Sequence, residues 1–121
     1  MAVKTWIGTD GSYSTAGNWS PANVPVNGDS VRIIPGAGSN ITSGFAQTAV
    51  TLAGFYVEDN APWLIGSRTL GALAIKTNIL EYAGTGEAWI DLSSNAVAPR
   101  VTRTYSPAAG YCGLYLVGTA K

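Results

Sequence analysis

The chain has 121 residues, 15 of them glycine; 46% are hydrophobic, 12% are charged, and seven Lys/Arg balance seven Asp/Glu. One domain is the expectation at this length, and the chain is too apolar for a disordered segment. With no histidine and one cysteine, it lacks an imidazole base, a Ser-His-Asp triad, a His-ligated metal, an intrachain disulfide and a multi-cysteine zinc site. Zero net charge without a basic run argues against a nucleic-acid binder held by phosphate contacts. No apolar run approaches the roughly 18 residues of a membrane helix. The opening Met1-Ala2-Val3-Lys4-Thr5-Trp6 has no apolar signal-peptide region behind its lysine. The expectation is a soluble, β-prone domain made in the cytoplasm.

Taken in chain order, short strands are predicted at Thr5–Ile7, Ser30–Ile34, Thr51–Glu58, Leu70–Lys76, Ile79–Tyr82, Ala88–Leu92, Arg100–Tyr105 and Leu114–Val117. Asp10-Gly11 and Asn27-Gly28 suit turns with positive φ, and Pro35-Gly36 and Ser106-Pro107 break the pattern. A bulge is expected at Gly54, inside the third strand. Residues 72–83 lack Gly and Pro, but Leu73, Ile75, Thr77 and Ile79 alternate, and β-branching favours a strand over a helix. The pattern predicts one all-β domain over 1–121, with residues 1–29 as an N-terminal cap or arm and 30–121 as a strand-rich body. Two architectures fit: a short irregular β-solenoid with an N-terminal cap, or a compact sandwich or jelly roll. A short solenoid exposes its end rungs, which must be capped or paired with another chain.

The most specific pattern lies in the first third. Trp6 and Trp19 bracket a Ser/Thr/Gly loop, Pro25 holds an extended segment, and Asn27-Gly28-Asp29 turns into a strand. Asp29 is expected to accept hydrogen bonds from turn amides. The two tryptophans either stack sugars or plug the open end of the first rung, and the plug is the expected role. Elsewhere the carboxylates do not suggest catalysis. Glu87 and Asp91 share one face of a strand roughly 13 Å apart, whereas a glycosidase pair stands about 5–10 Å apart. Asp29, or Glu58 with Asp59 and Asn60, could offer oxygen to calcium, but no acidic loop spacing supports a site. No metal, cofactor or catalytic residue is expected. Gly36-Ala37-Gly38 and Gly84-Thr85-Gly86 lack the ending of a phosphate loop and read as turns. Cys112 reads as a buried, inert thiol.

The series Trp6-Ile7-Gly8, Asn18-Trp19-Ser20, Val24-Pro25 and Gly28-Asp29-Ser30-Val31-Arg32-Ile33 resembles the opening of a family of tailed-phage virion proteins encoded beside the major capsid protein. A looser W-x-G…NWS…P…GD-x-V-x-I pattern also opens bacterial passenger-type β-helix proteins. The phage resemblance continues through Gln47–Ala53, Ile65-Gly66-Ser67, Leu73-Ala74-Ile75 and Gly113–Leu116. It implies a non-enzymatic capsid decoration (cement) protein or the base of a head fibre, trimeric, made in the host cytoplasm and seated on the virion surface. Its partner would be the major capsid protein. Candidate anchors are Trp63, Trp89, Tyr105, Tyr111 and Tyr115, with Arg100 and Arg103 as charge partners. The structural cap would be Trp6, Trp19, Pro25, Gly28 and Asp29. Two other readings stay open: the base of a head or tail fibre that attaches to host glycans, and a free carbohydrate-binding module using Trp63 or Trp89.

Overall fold

Alternation of buried and exposed side chains sets the strands, and the strands set a coil. The computed structural model describes residues 2–36, 38–58, 61–103 and 113–117. In it the chain winds as a β-solenoid of about four turns. The strands are β1 (Val3–Trp6), β2 (Trp19–Ser20), β3 (Ser30–Ile33), β4 (Ala46–Leu52), β5 (Gly54–Val57), β6 (Leu73–Thr77), β7 (Ile79–Tyr82), β8 (Glu87–Asp91), β9 (Arg100–Arg103) and β10 (Gly113–Val117). One sheet has the order β2-β1-β3-β5-β7-β9 and the other β10-β8-β6-β4. Every pairing is parallel except the short β1–β2 contact. A third seam of isolated parallel bridges joins Ser12 to Ser43, Ile41 to Ile65, and Ile65 to Ala88. No helix among the described residues is long and apolar enough to cross a membrane.

Parallel strands in successive turns stack equivalent positions. Inside the first sheet, one line runs Lys4, Val31, Phe55, Leu80, Val101, and another Trp6, Ile33, Val57, Tyr82. Facing them, β6 buries Leu73, Ile75 and Thr77, and β8 buries Ala88 and Ile90. With Ile41 and Ile65 from the third seam, the apolar side chains of these lines up to Leu80 and Tyr82 form one continuous core with Leu73, Ile75, Ala88 and Ile90. Burial of each large side chain contributes about 1.5–3 kcal/mol against chain entropy. A rung cannot bury its inner face alone, so the stack is the source of stability.

The structure departs from the expected strands at the corners. Thr51–Glu58 is two strands in two sheets: β4 ends at Leu52, Ala53 turns the corner, and β5 starts at Gly54. Gly54 carries no bulge, and the register instead shifts between Gln47 and Thr51. Asn78 makes the same one-residue corner between β6 and β7. The alternation slips there, so Leu80 points in while Ile79 is only half-buried. The strand expected from Leu70 begins at Leu73, because Ser67–Gly71 closes a turn first. Gly28 has φ 84°, as its turn requires, but Gly11 is not left-handed. Gly11 is small for another reason: a Cβ there would lie 2.0 Å from Thr42 Oγ1. Asp59, Asn60, Tyr105, Ser106, Pro107, Tyr111 and Cys112 lie outside the described residues.

The first 29 residues are both the first rung and its cap. β1 pairs in parallel with β3, while β2 runs antiparallel along the other edge of β1 and places Trp19 opposite Trp6. Both indoles are buried, with centroids 5.1 Å apart at 71°. Tyr13 meets Trp19 edge-on at 4.8 Å, and the Trp19 indole N–H donates to Tyr13 O at 2.8 Å. Burial, reinforced by the charge of Asp29, pushes the Tyr13 phenol pKa up. Asp29 is buried beneath this cap; Oδ2 accepts from Val26 N and Oδ1 from Ala2 N, each at 3.0 Å. Pro25 is buried beside it.

Asparagines stitch the rungs where the strands leave gaps. Asn27 Oδ1 accepts from Thr51 N and Asn40 Oδ1 from Leu64 N. Asn95, which is buried, accepts from Thr77 N and donates to Ile75 O and Leu92 O. Asn18 accepts from Thr9 N and donates to Asp10 Oδ1 and Ser12 O. Asp10 in turn accepts from Ser12 N, and these contacts hold its carboxyl below the usual range. Each side-chain amide replaces a backbone partner that the irregular coil does not supply.

Candidate functional site

On the outer face of the six-stranded sheet, parallel register lines up Thr5, Arg32, Tyr56, Glu81 and Thr102 across five strands. These side chains alternate with the buried lines, which is why they reach solvent. A groove of about 510 Å³ runs over the last four of them, lined by Ser30, Arg32, Tyr56, Glu58, Glu81 and Thr102 among others. That volume lies within the roughly 300–1,000 Å³ of small-molecule sites.

Two local arrangements shape the groove. The Tyr56 ring folds back along its own strand over Gly54. A Cβ at position 54 would stand 2.5 Å from Cε2, Cζ and Oη of that ring. Glycine therefore provides the space in which the ring lies along its strand. Beside it, Arg32 makes a two-pronged contact with Glu58: Nη2 donates to Oε1 at 3.1 Å, and Nε donates to Oε2. The hydrogen bonds from Arg32 hold the Glu58 carboxyl below the usual range, against the opposing effect of burial. The pair is substantially exposed, so its contribution to stability is under about 1 kcal/mol. A carboxylate whose folded pKa is depressed stabilises above its unfolded pKa of about 4.3, and the effect is lost as pH falls through the folded value. Glu58→Gln is accordingly expected to lower the melting temperature slightly at pH 7 and not at all at pH 2. An equal difference at both pH values would contradict the ion-pair account.

The second sheet carries a different aromatic feature. Trp89 and Tyr115 occupy paired positions on β8 and β10 and stack at 4.5 Å and 13°. The Trp89 indole N–H donates to Glu87 Oε1 at 3.2 Å. Glu87, Trp89 and Asp91 share this outer face, as their spacing implies.

The sequence-derived candidates divide accordingly. Trp6 and Trp19 are buried and offer no face to a sugar. Trp63 is half-buried against the core and donates its indole N–H to Ile34 O at 2.8 Å. Trp89 is half-buried, with one face covered by Tyr115. Arg100 is exposed, and Arg103 pairs in register with Tyr82. Tyr105 and Tyr111 lie outside the described residues. Sequence reasoning missed Tyr56 and read Gly54 as a bulge. The signal was a glycine two residues before an aromatic on one strand face, a spacing that lets the ring fold over the gap. Among the described residues no three acidic or thiol side chains gather into a cation site. No protein-family model, curated protein or solved structure matches this chain.

Proposed function

We propose that this protein is a non-enzymatic structural component of a tailed-phage virion, a decoration protein that binds the outer surface of the assembled capsid and stabilises it. The resemblance of its Trp6–Ile33 segment suggests the class. The observation that carries the reading is the unequal treatment of the two ends of the coil. At the first rung, β2 and the Trp6–Trp19–Tyr13 cluster close the stack. At the last described rung, Val101 continues the line of Leu80 yet is 39% exposed, and Leu116 continues that of Ile90 yet is 49% exposed. Tyr115 is 42% exposed beside them. Core positions left in solvent favour a protein partner that buries them.

On this reading the last rung seats on the major capsid protein, and three copies cluster where shell subunits meet. A protein that binds the assembled shell and not its separated parts stabilises the shell by mass action. Repetition over a symmetric lattice adds avidity. The test compares particles prepared with and without the protein. Saturated particles are expected to carry it in fixed stoichiometry with the capsid protein and to release DNA at a higher temperature. Leu116→Asp is expected to lower occupancy without lowering the melting temperature of the free protein. Equal DNA release from both preparations would reject the stabilising role.

A further inference from the structure

We propose that the groove on the outer face of the six-stranded sheet binds a neutral glycan, with the Tyr56 ring as its stacking platform. The site lies on the flank of the coil, so an occupied end rung leaves it open. It therefore goes beyond attachment to a shell.

Three features select this ligand. The first is the ring itself. The absence of a side chain at Gly54 leaves room for the Tyr56 ring to lie back over its own strand, which gives a pre-set aromatic surface. Pyranose rings present a patch of C–H groups that packs on such a surface, and a ring already in position loses little entropy on binding. The second is the polar frame. The forked Arg32–Glu58 pair, Glu81 and the hydroxyls of Ser30 and Thr102 surround the platform. Adjacent sugar hydroxyls are donors and acceptors at once, and planar carboxylate and guanidinium groups match them in pairs. The third is charge. The groove holds two carboxylates and one guanidinium, and that guanidinium is already committed to Glu58. Acidic sugars would meet net negative charge, so uronic and sialic acids are disfavoured.

The test uses the full chain on a printed array of neutral, sialylated and uronic-acid oligosaccharides. Binding is expected to a subset of the neutral glycans. Tyr56→Ala is expected to weaken it about tenfold, and Tyr56→Phe to keep it within about threefold. Gly54→Ala retains the tyrosine but displaces its ring, and is expected to weaken binding as Tyr56→Ala does. Leu116→Asp, which tests the end rung, is expected to bind the array like the parent. Melting curves establish that each variant is folded. Absence of neutral-glycan binding, a preference for acidic glycans, or full binding by folded Tyr56→Ala would each overturn the proposal.

Discussion

Replacing Trp19 by alanine is expected to cost about 4 kcal/mol, close to the largest penalty a single core truncation carries. The indole is buried, packs edge-on against both Trp6 and Tyr13, and donates to Tyr13 O. Its removal opens a cavity in the cap and leaves the Tyr13 carbonyl without that donor. The loss is a large share of the roughly 5–15 kcal/mol that holds a typical domain. In a stacked coil each rung leans on its neighbours, so the damage is expected to be graded along the axis. Amide exchange should speed up most in β1 and β3 and least in β7 and β8. Trp19→Phe, which keeps an aromatic ring but loses the donor, is expected to lose about half as much. Uniform acceleration across all strands would show that cap and body unfold as one unit.

The second large effect concerns Asn95. Its side-chain amide serves Thr77 N, Ile75 O and Leu92 O inside the coil. Alanine removes all three contacts, at an expected total of about 3 kcal/mol. Aspartate tests the same contacts by charge. It preserves the acceptor for Thr77 N but turns a second oxygen toward two carbonyl oxygens. Keeping its proton lets the carboxyl donate to one of them and removes its negative charge from beside both, so its folded pKa is raised. An acid with a raised folded pKa binds more protons when native. Stability of Asn95→Asp is therefore expected to be highest below the unfolded pKa of about 3.9 and to fall as pH rises toward neutrality. Urea titrations at pH 3.5 and 7 check this. A variant as stable as the parent at pH 7 would refute the amide's role.

Much of this coil was legible residue by residue. Alternation at Leu73, Ile75 and Thr77 places these side chains in the core, and Asn27-Gly28 turns where its φ requirement says it must. The tryptophans of the first third pack on each other because no other segment there offers comparable apolar area. The corner at Ala53 was not legible, whereas the gap left between the strands expected at Leu70–Lys76 and Ile79–Tyr82 falls on the corner at Asn78. At Ala53 the apolar series Leu52, Phe55 and Val57 runs on past Gly54, which reads as a bulge inside one strand and not as the start of a second. β4 and β5, like β6 and β7, belong to different sheets, and their partners lie a full turn away. The bridging asparagines looked like ordinary loop residues, since a side-chain amide declares its partners only in three dimensions. Tyr56 was hidden for the same reason: its importance depends on what Gly54 lacks.

The one-residue corners also determine where this chain tolerates added length. From rung to rung the first sheet advances by 27 residues at Val3–Ser30, 24 at Ser30–Gly54, 25 at Phe55–Leu80 and 21 at Ile79–Arg100. With Ala53 and Asn78 fixing the phase between the two sheets in the middle rungs, the variation falls in the connections on the opposite side, residues 34–45, 58–72 and 83–86, and in the last corner, residues 92–99. A peptide grafted at Ala53 would rotate every later side chain out of line with the stack. The same graft at the Ser67–Gly71 turn, which closes on itself through paired backbone hydrogen bonds, would project from the flank and leave the coil in phase. That turn is the natural insertion point for displaying a foreign epitope on this scaffold.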